Sequence, residues 1–121
     1  MNPTNTFLAV FLGSKTSSGR KAWDGLGEAE RRSKEQEGMA GWKAWTEKHQ
    51  SAIAGSGGPL GKTKKITHNG VADASNEMGA FLVVCADLHE EAAKLFENHP
   101  HFTIFPGDTA KITPIMPIPG T

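Results

Sequence analysis

The sequence predicts an α+β fold: a ferredoxin-like split βαβ arrangement in which an antiparallel sheet carries both helices on one face. Three observations predict it. The runs Phe7–Leu12 and Ala80–Ala86 are apolar at odd and even positions alike, the pattern of strands covered on both faces. Two charged segments, from about Leu26 to Ala54 and from Asp87 to His99, carry apolar residues at spacings of three and four, the pattern of amphipathic helices. The segments follow one another as strand, helix, strand, strand, helix, strand, the order of the split βαβ motif. At 121 residues the chain is expected to form a single domain, 1–121. A globule of that size buries roughly two-thirds of the surface that its unfolded chain exposes.

Thirteen basic and thirteen acidic side chains cancel. That balance disfavours a nucleic-acid or anionic-membrane partner, which usually requires a positive surface. The apolar run at Phe7–Leu12 is too short for a membrane span and no basic residue precedes it, so neither a signal peptide nor an anchor is expected, and the expected location is cytoplasmic. The single cysteine, Cys85, lies inside an apolar run and reads as a packed small hydrophobe.

Residues 1–5 are polar and read as a disordered lead. The strand Phe7–Leu12 ends at Gly13, and a serine- and lysine-rich loop follows from Ser14 to Lys21. A helix is expected to begin near Asp24 or Leu26, with Asp24 available to cap it. Its first part, Glu28–Glu37, has acidic residues ahead of Arg31, Arg32 and Lys34, a favourable order for the helix dipole. Gly38 and Gly41 each weaken a helix by about 1 kcal/mol relative to alanine, so a bend or break is expected there. Beyond them Met39, Trp42, Trp45, His49 and Ile53 fall on one stripe of a helix ending near Ala54.

Gly55–Thr67 resembles a phosphate loop only superficially. The nucleotide pattern needs a glycine five positions before Gly61-Lys62-Thr63, with a strand leading in and a helix leading out, so that backbone amides face the phosphates. That position is Ser56, and the flanks are a helical pattern before and a basic, β-branched segment after. The stretch reads instead as a glycine-proline turn from helix to sheet. Lys62–Thr67 is then a polar strand near an edge, its lysines blocking unwanted pairing or binding an anion. Asn69-Gly70 predicts a tight hairpin turn, with Val71-Ala72 starting the return and Asp73–Gly79 a polar loop.

After the strand Ala80–Ala86, Asp87 and Glu90 make a capping box, and Leu88, Ala92, Leu95 and Phe96 supply the buried stripe of the second helix. Pro100 is expected to stop it at His99. Phe102–Phe105 reads as a short extended piece turned by Pro106-Gly107-Asp108, and Lys111–Met116 as the last strand. Pro114, Pro117 and Pro119 cannot donate to a ladder, so this strand belongs at an edge, with 117–121 an extended tail. Two helices cover only one face, yet two strands are apolar on both. The second face is therefore expected to meet its copy in a sheet-to-sheet homodimer, the arrangement of a dimeric α/β barrel.

With those elements in place, the chain from Phe7 to its C-terminus resembles the YCII-related superfamily, in particular the branch with an Asp-Gly-Pro-Phe signature. The residues that carry the resemblance are Gly57-Gly58-Pro59-Leu60 followed by Thr63-Lys64, the strand ending Ala86-Asp87, the helix ending His99-Pro100, and Ile112-Thr113-Pro114. The resemblance implies a ferredoxin-like dimeric barrel with a small-molecule pocket beside the Gly-Pro turn and, in some relatives, a histidine-aspartate pair for acid-base work. Here the signature aspartate is Gly57, and the segment where relatives carry the histidine holds Trp42 and Trp45, with His49 one turn later. The dyad is therefore not carried over.

His49 is open to two readings, a packed core histidine or a general base tuned by burial. His99 is open to two as well, a helix-end residue or a proton donor facing a pocket. These two are the candidate catalytic residues. Trp42, Trp45, Pro59, Leu60, Lys62 and His101 are the candidate ligand-binding residues, and Asp73 is an acidic partner only if its loop folds back. The histidine spacings match no zinc pattern, so no metal is expected, and no organic cofactor. The function expected is that of a small-molecule-binding protein, either an acid-base enzyme or a non-catalytic binding or regulatory module.

Overall fold

A computed structural model describes residues 5–120. The strands are β1 (Asn5–Leu12), β2 (Ile53–Pro59), β3 (Thr63–Thr67), β4 (Gly70–Ala74), β5 (Met78–Ala86) and β6 (Thr109–Pro114). The helices are α1 (Ser18–Asp24), α2 (Glu28–Lys48), α3 (His89–Lys94) and α4 (Pro100–Thr103). Four strands form an antiparallel sheet in the order β2-β5-β1-β6, the ferredoxin-like order, while β3 and β4 pair only with each other.

Alternation along β1 sets the two faces of the sheet. Phe7, Ala9 and Phe11 are buried, whereas Leu8, Val10 and Leu12 are half-buried. Register places Val84, Leu82 and Ala80 of β5 beside the buried set, and Ala110 and Ile112 of β6 beside Phe11 and Ala9. Trp45, Ala92 and Phe96 close this face from the helical side, which makes it the core. The other face carries Leu8 and Val10 with their ladder partners Val83 and Phe81, which are half-buried and outside the core that the helices close.

Several expectations are corrected. The second strand of the main sheet is β2, not Lys62–Thr67, and it occupies much of the stretch expected to be a turn. Glycine-rich Ile53–Pro59 has little strand propensity of its own. It is a strand because the edge of β5 offers unpaired backbone groups, and it pairs irregularly, with register shifts on both sides of Gly55. The preceding helix stops at Lys48 rather than near Ala54, with His49 at its C-cap and a short 3₁₀ turn at Gln50–Ala52 between. Gly38 and Gly41 do not break α2. A Cβ at Gly38 would come within 2.4 Å of the Phe105 ring, and one at Gly41 within 3.0 Å of Pro100, so both glycines admit close packing instead.

The remaining differences are local. Asp24 ends α1 rather than capping α2, whose N-cap is Gly27; the side-chain cap belongs to Ser17, whose hydroxyl accepts from the Arg20 amide. No capping box forms at Asp87, since Leu88 is the N-cap of α3. Pro100 starts a helical turn where Phe102–Phe105 was expected to be extended. The β3–β4 turn is made by His68 and Asn69, and of these residues and Gly70 only Gly70 takes positive φ, at 110°. Asp73 and Ala74 belong to β4, and Met78 and Gly79 to β5, which shortens the expected loop. Asn5 already belongs to β1, and residues 1–4 of the expected lead lie outside the described residues. Pro114 does sit on an edge strand, and the chain from Ile115 to Gly120 has no regular structure.

Candidate functional site

The aromatic stripe of α2 faces the core. Trp45 is 8% exposed and its indole N–H donates to the Leu95 carbonyl at 3.0 Å. Trp42 packs against Phe11, Trp45 and His99, with ring centroids 4.9, 6.5 and 4.2 Å away. His99 lies at the centre of this cluster and is 0% exposed. Its Nδ1 accepts from the His101 amide at 3.0 Å, which caps α4 and leaves the ring proton on Nε2. That Nε2 is buried without a hydrogen-bond partner. Burial first, and then the neighbouring His101 and His49, push the His99 pKa down to about 4, so the ring is neutral at neutral pH.

His49 is half-buried with its ring tilted against Trp45 at 4.7 Å, and neither of its ring nitrogens has a hydrogen-bond partner among the described residues. Burial and then the charge of Lys48 lower its pKa. His101 is committed differently. Its Nε2 lies 2.8 Å from the Leu12 carbonyl and 3.1 Å from that of Thr109, so an N–H there clamps the ends of β1 and β6, which are ladder partners. The ring fits because Gly107 has no side chain; a Cβ there would lie 2.1 Å from it.

Two grooves open elsewhere, at the base of the β3–β4 hairpin. The larger, about 570 Å³, is lined by Lys15, Lys62, Lys64, Asp73, Asn76 and Met78 among others. Lys64 pairs with Asp73 at 2.6 Å, and the Asn76 amide donates to the Thr63 hydroxyl. The smaller, about 420 Å³, shares Lys15, Asn76 and Met78 with it and continues past Arg20 and Glu77 to Phe105 and Pro106. Arg20 and Lys64 are paired with Asp24 and Asp73, whereas Lys15 and Lys62 make no ion pair among the described residues and share the larger groove with Ala74 and Met78, a combination suited to an organic anion with an apolar body.

The expected pocket thus divides. Lys62 lines the larger groove and His101 the smaller, but Trp42, Trp45, Pro59 and Leu60 line neither. Pro59 ends β2 opposite Ala80, and the Leu60 amide donates to the Gly79 carbonyl, so both belong to the sheet edge. His49 and His99 line neither groove. Lys64 was expected only as one of the edge-strand lysines that either block pairing or bind an anion, and Lys15, Asn76 and Met78 were not anticipated. The run of lysines from 62 to 65 was the available signal, but Lys15 joins them only through the fold. No group of histidine, cysteine, aspartate or glutamate among the described residues is placed to hold a metal ion, and none of the helices described is long and apolar enough to cross a membrane.

No family model and no curated protein matches the chain. Among solved structures it is similar to 5-chloro-2-hydroxyhydroquinone dehydrochlorinase (TftG) from Burkholderia phenoliruptrix AC1100, in complex with 2,5-dihydroxybenzoquinone, at 19% identity and a TM-score of 0.49 over 88% of this chain and 89% of that one. A likeness of that degree identifies neither chemistry nor ligand.

Proposed function

We propose that this chain is a small-molecule-binding module of the YCII-related superfamily that works as a sheet-to-sheet homodimer and takes a small organic anion in the groove at the hairpin base. The observation that carries the ligand class is the convergence of Lys15, Lys62 and Lys64 on a groove of about 570 Å³ where Asp73 is the one acidic side chain. In a chain of formal net charge zero, that is a local excess of positive charge. The volume falls in the usual range for small-molecule sites, roughly 300–1,000 Å³. Binding rather than turnover fits the placement of the histidines, since His99 is sealed in the core and His101 spends its Nε2 on two carbonyls.

Calorimetric titration with benzoate, succinate and inorganic phosphate tests this reading. The expected result is sub-millimolar binding of an organic carboxylate, weakened by salt and reduced about tenfold in Lys62→Met, the size expected for a partly screened charge contact. Absence of binding for every organic probe at about 10 mM overturns it. An acid-base reading rests on His49, whose unbonded and half-buried ring keeps a proton-accepting nitrogen. His49→Gln with ligand binding intact and turnover lost supports that reading, and unfolding of the variant supports packing.

A further inference from the structure

The β3–β4 hairpin has a relation to the main sheet that its separate pairing conceals. β2 and β5 are paired up to Pro59 opposite Ala80, the Leu60 amide then donates to the Gly79 carbonyl, and pairing resumes with Thr63 opposite Ala74. The hairpin therefore continues the β2–β5 ladder past the end of the sheet as a two-stranded arm. Five residues per strand give it a length of about 17 Å. Near its tip Ile66 pairs with Val71, and the two are 78% and 65% exposed. The same face of the arm carries the Lys64–Asp73 ion pair, which leaves no net charge there to oppose docking. An isolated two-stranded hairpin is at best marginally stable in water, and an exposed apolar rung is a liability unless something covers it.

We infer that the arm grips a second copy of this chain, with the Ile66–Val71 rung as its contact. This rests on the sheet-to-sheet homodimer proposed above. The areas argue for the same occupant. Four strands at about 4.8 Å spacing and roughly six residues of length give an open sheet face on the order of 400 Å² in projection, about half of what each partner contributes to a standard stable interface. In a two-fold dimer each copy lends one arm and receives another. Two arm faces of about 17 by 10 Å add roughly 300 Å² per copy, which closes most of the gap.

Sedimentation velocity from nanomolar to micromolar concentration tests the arm, using the full chain and the double variant Ile66→Lys/Val71→Lys. The expected result is a dimeric wild type whose dissociation constant rises at least about tenfold in the double variant, with an unchanged urea transition when both are unfolded at concentrations where they are monomers. The swap Ile66→Val/Val71→Ile keeps the rung apolar and should retain the wild-type constant, separating a lost contact from a damaged fold. A double variant that dimerises as tightly as the wild type overturns the arm and leaves the sheet-to-sheet dimer standing. A wild type that stays monomeric at about 10 µM overturns both.

Discussion

His99 is held neutral by its surroundings, and that has a direct consequence for stability against pH. Its proton affinity is lower in the folded chain, near pH 4, than the 6.5 of an ordinary imidazole. The unfolded state therefore binds more protons in that window. The contribution is fully present above pH 6.5, declines as pH falls toward about 4 and levels off below, a loss of about 3 kcal/mol for a shift of this size. His49 is shifted in the same direction, by burial and then by the charge of Lys48, and acts in the same sense. His99→Asn keeps a capping acceptor at the start of α4 but removes the titration. Urea midpoints between pH 4 and 7 should show a shallower dependence in His99→Asn than in the wild type, even though its stability at neutral pH is lower. A second residue, Gly57, replaces the signature aspartate of the family that the sequence resembles. A Cβ there would lie 2.0 Å from the Phe81 carbonyl oxygen and 2.8 Å from the Leu82 Cα, both backbone atoms of β5. Gly57→Asp is therefore expected to cost about 3 kcal/mol or more in urea unfolding, because β2 must leave β5 to admit it. Trp42 and Trp45, expected to bind ligand, instead bury their large indole surfaces in the core. What His99 does was not legible in the sequence, since the same residue ends one helical segment in sequence and caps the next turn in space.

The elements show where local pattern and tertiary packing compete. Helix α2 runs unbroken for 21 residues through two glycines that propensity alone marks as a weak point. The packing explains them. Gly38 lets the Phe105 ring lie against the helix backbone, and Gly41 does the same for Pro100 and Ile104. The two should respond differently to alanine. At Gly41 the nearest atoms are 3.0–3.4 Å from the new Cβ, so the gain of about 1 kcal/mol in helix propensity roughly offsets a small adjustment. At Gly38 the Cβ would sit 2.4 Å from a ring that must move as a unit, and overpacking of that kind costs about 1–3 kcal/mol. Denaturant titration should rank Gly41→Ala near the wild type and Gly38→Ala clearly below it. β2 is the element that the sequence concealed, since Ile-Ala-Gly-Ser-Gly-Gly-Pro has no alternation to read and becomes a strand only beside β5. The hairpin was legible from Asn69-Gly70, shifted by one residue. Its place outside the main sheet was not, because ladder membership depends on which edges remain open.

For the whole molecule, the sheet order followed from the order of elements, and the two-sided apolarity of β1 and β5 is the feature that motivates the proposed dimer. Helices cover Phe7, Ala9, Phe11 and Val84 and leave Leu8, Val10, Phe81 and Val83 on the open face. Along β1 the burial alternates strictly, so Leu8, Val10 and Leu12 lie outside this chain's own core. The lysine groove shows the opposite case: its members come from the loop after β1, the arm and the approach to β5, and no spacing along the chain announces them. In the proposed dimer Val83 lies at the contact, flanked by Leu8 on one strand and Gly55 on the other. Val83→Lys places an ammonium group against an apolar partner face, where burying an unpaired charge costs far more than one valine contributes. In the isolated chain the same side chain reaches water along the open face, and the core on the helical side is untouched. The expected outcome is a cooperatively melting monomer, read by light scattering together with circular dichroism; a variant that keeps the dimer mass of the wild type would show that the open faces do not meet.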